Sequence, residues 1–273
     1  MKRLVPVLFV VASLCAKSAE VTYVDHSMGS GVNDLWVVGT IERGDAKKFN
    51  GLLESPPQPD KPTFVHLASS GGDLIEAINI AQQIRDDFLL TDISVIPALG
   101  KCVTSSDMAG GEYRPLLSPE QQKEHCGCFS ACFVIWSGGV IRGGSAADEN
   151  GLGGIGIHRP SFDPSYFADL SAADAESSYE SMTNATKTFL DEMGVPMRLV
   201  EKMFSIPSGD AYLLSKDDLR ELESPPALEE WFTSKCGGVS KELQDRYEVT
   251  LTIWIAYELG NISLSKKEVE AFS

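Results

Sequence analysis

Attack on a carbonyl carbon needs a nucleophile, a base to take its proton, and hydrogen-bond donors aimed at the oxyanion that develops. Three stretches of this chain carry residues of those types. In the first, Ser69-Ser70-Gly71-Gly72-Asp73 follows the apolar run Phe64 to Leu67 and precedes a helical pattern. A strand ending in glycines at a helix start leaves backbone N–H groups without helical acceptors. Glycine there also lets a substrate chain approach the backbone closely. In the second, Gly127 to Phe129 leads into Ser130-Ala131 and then an apolar run, so the Ser130 hydroxyl and the Ala131 N–H both stand at the start of a short buried helix. In the third, His158 ends Ile155-Gly156-Ile157, just before Arg159-Pro160. Each also has a plainer reading: a turn glycine pair, an N-cap serine, and a structural histidine.

The elements around these stretches alternate. Strand-like runs fall at 35–41, 63–67, 93–96, 140–142 and 154–158, with helical patterns between several of them. That order predicts an α/β fold with a mostly parallel sheet covered by helices. The clearest unit runs from Phe64-Val65-His66-Leu67 through the glycine turn into a helix with apolar Leu74, Ala77, Ile78, Ala81 and Ile84 at a 3.6-residue period. Asp73 at its start suits the helix dipole. The strand at 93–96 would complete a right-handed βαβ unit. Residues 100–126 read as an irregular insertion rich in Gly, Pro and polar side chains, and a loop of that length is usually functional. Further helices are expected at 130–136, 172–193, 197–204 and about 241–259.

Order and flanks together resemble the proteolytic subunit of Clp protease and its crotonase-like relatives over about residues 33–222. Trp36-Val37-Val38-Gly39-Thr40-Ile41, with 46–53 after it, is similar to that family's first strand and helix. Leu67-Ala68-Ser69-Ser70-Gly71-Gly72-Asp73 resembles its oxyanion turn, Gly127-Cys128-Phe129-Ser130-Ala131 its nucleophile turn, and Ile157-His158-Arg159-Pro160 its base motif. Tyr212-Leu213-Leu214-Ser215 resembles the strand that follows its third catalytic residue.

The resemblance implies Ser130 as nucleophile, His158 as base, the N–H groups of Gly71 and Ala131 as oxyanion hole, and Gly72 as a substrate-binding position. The third member would be an aspartate. Ala211 takes its matching place, so Asp210, one residue earlier, is the candidate. Ser70 stands where the family has proline, and Phe129 where a small residue is common. Lys101 and Lys123 precede the nucleophile, but His158 sits in the motif where the serine-histidine branch has its base. The implied activity is a serine hydrolase, a peptidase acting through a Ser-His-Asp acyl-enzyme on a peptide or protein substrate, with no metal or organic cofactor. The alternative is a catalytically inactive binding or assembly protein on the same fold. Family members form rings, so a homo-oligomer is expected, through about 161–193.

The first residues set the compartment. Lys2 and Arg3 precede an 11-residue apolar run, Leu4 to Leu14, and then Ala16-Lys17-Ser18. That order reads as a secretory signal peptide over 1–18, since a membrane span needs roughly 20 apolar residues. No stable membrane anchor is expected, and the chain would be exported, periplasmic or secreted. The remaining domain would cover 19–224, followed by a helical extension over 225–273. The net charge of −16 becomes −19 when Lys2, Arg3 and Lys17 leave with the leader and no acid does. Such an anionic surface disfavours nucleic acid and anionic lipid.

Export also favours disulfides. Of six cysteines, Cys15 leaves with the leader and five remain, so at least one stays unpaired. Cys102, with Cys126 or the neighbouring Cys128, brackets the insertion and supplies the disulfide candidates. His125-Cys126-Gly127-Cys128 could bind a metal, but a tetrahedral site wants a second ligand pair that the sequence does not offer, so no metal is expected.

Overall fold

The computed structural model describes residues 18–24, 32–59, 61–93, 127–144, 146–147, 153–160 and 166–223, together with the backbone of 95–98 and 101–104. Residues 1–17 of the expected leader, most of the 100–126 insertion with Cys126 in it, and the 225–273 extension lie outside them.

A mixed α/β architecture results, with a mostly parallel central sheet. Its five strands are β1 (Glu20–Val24), β2 (Asn33–Val38), β3 (Thr63–Ala68), β4 (Leu90–Asp92) and β8 (Arg142–Gly143), in the order β1-β2-β3-β4-β8. β1 runs antiparallel to β2 at one edge, and the other pairings are parallel. Every residue of β2 is buried, as expected of an inner strand covered on both faces. Helix α1 (Asp45–Leu53) links β2 to β3, and α2 (Leu74–Asp86) links β3 to β4. Asp73 caps α2: its Oδ1 accepts from the N–H groups of Ile75 and Glu76 at 2.8 and 3.1 Å.

The strand expected at 93–96 is replaced by two elements. The sheet takes Leu90–Asp92, while β5 (Val95–Ala98) turns away to form a hairpin with β6 (Lys101–Thr104), which carries Cys102. Periodicity cannot separate two short apolar runs whose partners lie elsewhere in the fold. A second sheet of three strands, in the order β10-β9-β7, joins β7 (Cys128–Phe129), β9 (Ile155–Ile157) and β10 (Tyr212–Leu213). Between the sheets lies α3 (Ala131–Ser137), buried along its whole length. It crosses α2 so closely that a Cβ on Gly138 would meet the Ala81 carbonyl at 2.4 Å.

Three more helices, α4 (Ala172–Glu192), α5 (Met197–Ser205) and α6 (Lys216–Glu223), complete the chain. The C-terminal ends of α3, α4 and α6 converge on two buried guanidiniums. Arg142 donates to the carbonyls of Ser137, Gly139, Met193 and Leu222, and Arg85 to those of Ser137, Gly138 and Met193. Carbonyls left over at helix ends carry the negative end of the helix dipole, so they compensate the two buried cations and tie the helices to β8.

The opposite face of the central sheet carries a buried polar cluster. His66 on β3 places Nε2 2.6 Å from Asp34 Oδ1 on β2, and Nδ1 3.8 Å from Asp92 Oδ2 on β4. Its ring stacks on Trp36 with centroids 4.6 Å apart. Burial alone would push the imidazole down, but the two carboxylates outweigh it and hold the pKa up, at about 9.

Candidate active site

Ser130 joins the C-terminal end of β7 to the first turn of α3. It has φ 56° and ψ −119°, a left-handed conformation that side-chain-bearing residues rarely take. Its hydroxyl caps no N–H of α3, which removes the N-cap reading. A strained strand-to-helix turn of this kind projects the side chain away from the backbone on both sides. Holding it costs about 1–3 kcal/mol, which the surroundings must supply.

A disulfide between Cys128 and Cys132 spans that turn, with both residues fully buried. Four residues of extended chain would separate their Cα atoms by ~13 Å. The reversal at Ser130 brings them to 5.1 Å. Of the two partners expected for Cys102 across the insertion, Cys126 and Cys128, this corrects the second: Cys128 pairs with Cys132, a neighbour on the first turn of α3.

The glycine turn meets the serine directly. A Cβ added to Gly71 would lie 2.7 Å from Ser130 Cβ, 3.0 Å from the Phe129 carbonyl and 3.3 Å from the Ala131 nitrogen. The two loops are stitched by backbone bonds from Ser69 N–H to Gly127 O (2.9 Å) and from Phe129 N–H to Ser69 O (3.0 Å). On the far side, Ile41 N–H donates to Gly71 O (2.9 Å) and Asp73 N–H to Ile41 O (2.8 Å). That parallel bridge uses the groups on either side of Gly72, so Gly72's own N–H and C=O point to the other edge. An extended chain could pair there.

Ala131, as the first residue of α3, has an N–H with no acceptor inside the helix. The Gly71 N–H, in contrast, is taken: it donates to Ser69 Oγ at 3.1 Å. Ser69 is fully buried, and its hydroxyl also lies 3.3 Å from Gly71 O. Sequence reading passed over this residue, although a serine two positions before a glycine is a known side-chain turn. Phe129 lays its ring over Gly127 and Gly156, where a Cβ would meet it at 2.6 and 2.2 Å.

β7 and β9 are parallel neighbours, with Phe129 opposite Gly156, and Ser130 N–H donates to Gly156 O at 3.0 Å. Ser130 and His158 therefore leave the same end of adjacent strands, about one strand spacing (~4.8 Å) and one residue rise (~3.3 Å) apart along the backbone. Their side chains make no hydrogen bond to each other among the described residues. His158 is half-buried, and its Nδ1 lies 3.0 Å from the Arg159 carbonyl. A carbonyl can only accept, so Nδ1 carries the proton in that contact, and a neutral ring held this way has its lone pair at Nε2.

β10 pairs with β9 only through Tyr212 opposite Ile157 and Leu213 opposite Gly156. Asp210 lies before β10 in a turn, where its N–H donates to Pro207 O at 3.0 Å, while Arg159 N–H donates to Ile206 O at 2.9 Å. Asp210 is exposed and makes no ion pair with His158 among the described residues. Tyr166 reaches the start of α2: it donates its phenol proton to Asp73 Oδ2 at 3.0 Å, with Arg43 over its ring.

Among the described residues no helix is long and apolar enough to cross a membrane, and no group of three or more His, Cys, Asp or Glu could hold a metal ion. No protein-family model matches the chain, and no curated protein matches it.

Proposed function

We propose that this chain is an exported serine hydrolase, a peptidase with the fold of the Clp protease proteolytic subunit and crotonase-like proteins, acting on peptide or protein segments in the periplasm or outside the cell. The observation that carries the reading is the strained Ser130 turn, its hydroxyl unused as a cap, pressed against the Gly71 backbone. Strain of this sort costs free energy without a structural return, and it clusters at working sites.

In this reading Ser130 Oγ attacks the scissile carbonyl while His158 Nε2 takes its proton. The Ala131 and Gly71 amides hold the oxyanion. His158 then protonates the leaving amine, and water releases the acyl group from Ser130 by the reverse proton path. The Arg159 carbonyl supports the imidazole tautomer, the part that the family resemblance gives to Asp210. Substrate would lie along the open edge at Gly72, paired as an added strand.

A second reading, a binding or assembly protein without turnover, is favoured by two observations: Asp210 is exposed and makes no ion pair with His158 among the described residues, and Ser69 occupies the Gly71 N–H. A fluorophosphonate probe separates the two. Labelling of the wild-type protein that disappears in Ser130→Ala and in His158→Ala supports the hydrolase. A wild type that stays unlabelled at any pH from 6 to 9 supports the binding reading.

A further inference from the structure

Asp45 is the first residue of α1 and is fully buried. Its carboxylate gathers four donors. Oδ1 accepts from the Ser18 hydroxyl at 2.6 Å and from Lys48 Nζ at 2.8 Å; Oδ2 accepts from the Glu42 N–H at 2.7 Å and from the Ala19 N–H at 3.3 Å. Two of these donors come from the junction of the expected leader with the rest of the chain. Ala19 is itself buried, at 3% exposure, and Ser18 bridges Thr40 in the direction of β2.

The cation in contact with this buried carboxylate is Lys48, whose side chain is 51% exposed and so largely screened by water. The longest contact in the set is the neutral Ala19 amide. Hydrolysis of the Ser18–Ala19 peptide bond would change that nitrogen alone. Water adds across the bond, the carboxylate leaves with Ser18, and Ala19 N becomes an ammonium with three donors. The departure of Ser18 also frees the Oδ1 side that its hydroxyl had filled. A neutral hydrogen bond at the margin would thus become a buried, charge-assisted pair without the backbone having to travel.

We propose that removal of the leader after Ser18 creates an α-ammonium at Ala19 that docks on the Asp45 carboxylate and braces the oxyanion turn. This rests on the reading that the chain is exported and cleaved there, for which Ala16-Lys17-Ser18 is the sequence motive. The brace is a short path of bonds. Asp45 Oδ2 holds the Glu42 N–H; the preceding residue, Ile41, donates to Gly71 O and accepts from Asp73 N–H. Gly72 fits only because it has no Cβ, which would come within 2.1 Å of Ile41 O. The new terminus therefore acts three bonds away from the amides next to Ser130, and an uncleaved chain lacks the charge that tightens the path.

The test uses the full chain with its leader, exported to a bacterial periplasm and purified folded. N-terminal sequencing is expected to start at Ala19. The folded protein is then treated with an amine-acylating ester near neutral pH, and acylation of the Ala19 amine is followed by mass spectrometry. Acylation is expected to be at least tenfold slower in the wild type than in Asp45→Asn, because a paired, buried ammonium is not a nucleophile. Should Asp45→Asn not fold, one glycine inserted between Ser18 and Ala19, with cleavage ahead of the glycine, moves the amine a residue away from an intact Asp45. Fast acylation of that variant supports the docking equally. A terminus other than Ala19 overturns the proposal together with the cleavage reading. A terminus at Ala19 whose amine reacts as fast in the wild type as in the variants overturns the docking alone.

Discussion

Gly71 and Ser130 touch through the space a side chain would need: a Cβ on Gly71 would stand 2.7 Å from Ser130 Cβ, with φ at +108°. Both the contact and the conformation exclude any larger residue. Gly71→Ala is expected to push the oxyanion turn off Ser130 and to strain the backbone, at a cost of about 1–3 kcal/mol in stability. If the Gly71 amide is an oxyanion donor, fluorophosphonate labelling of Ser130 should fall by roughly 100-fold or more. Labelling at the wild-type rate in a folded Gly71→Ala protein would remove Gly71 from the site.

Ser69 holds the amide that the oxyanion would need. The hydroxyl keeps the Gly71 N–H satisfied at rest, and a charged oxyanion should displace it because charge-assisted hydrogen bonds are about twice as strong as neutral ones. Ser69→Ala frees the amide in advance. The expected result is labelling of Ser130 some 2- to 10-fold faster, the worth of one neutral hydrogen bond. Exchange of the Gly71 amide hydrogen should also speed up. Slower labelling, with Gly71 exchange unchanged, would mean that the hydroxyl only shapes the turn.

The Cys128–Cys132 disulfide closes a loop with Ser130 at its centre. Chain entropy assigns a loop this short about 2 kcal/mol of stabilisation. Replacing both cysteines by alanine should lower the midpoint of denaturant unfolding accordingly. Because the same link holds the strained φ of Ser130, labelling should slow as well. A double variant with full labelling and lowered stability would assign the disulfide to the fold alone.

His66 predicts a pH dependence of stability separate from that of activity. Its folded pKa of about 9 stands above the ordinary histidine value near 6.5 that applies to the unfolded chain. Its protonated form is therefore the one the fold favours. The contribution, on the order of 3 kcal/mol, is fully present below about pH 6.5 and lost as pH rises through 9. Urea unfolding followed from pH 6 to pH 10 should show the midpoint falling over that interval. In His66→Gln the midpoint should be lower at pH 6 and nearly level thereafter, and an equally steep fall in the variant would place the titration elsewhere.

Local signals made the core of the site readable from the chain. The unit from Thr63 to Asp86 announces itself through an apolar strand, two glycines, an N-cap aspartate and an apolar 3.6-residue stripe, all of which act within a few residues. The helix after Ser130, and those starting near 172 and 197, were visible for the same reason. The split of 90–98 between sheet and hairpin was not, because both halves are short and apolar and their partners are distant in sequence.

Three relationships depend on through-space geometry that no spacing rule encodes. Whether Ser130 caps its helix or stands off it is a matter of one φ angle, fixed by packing against Gly71 and by the link to Cys132. Whether Asp210 can reach His158 depends on the turn before β10, which ties the Asp210 N–H to Pro207 O and leaves the residue exposed. The seat of Ala19 on Asp45 joins residues 26 apart. Residue types and their order were enough to mark which groups could do chemistry. Their orientation came from contacts between distant segments, since hydrogen bonds and steric exclusion act over a few ångströms of space, whatever the separation along the chain.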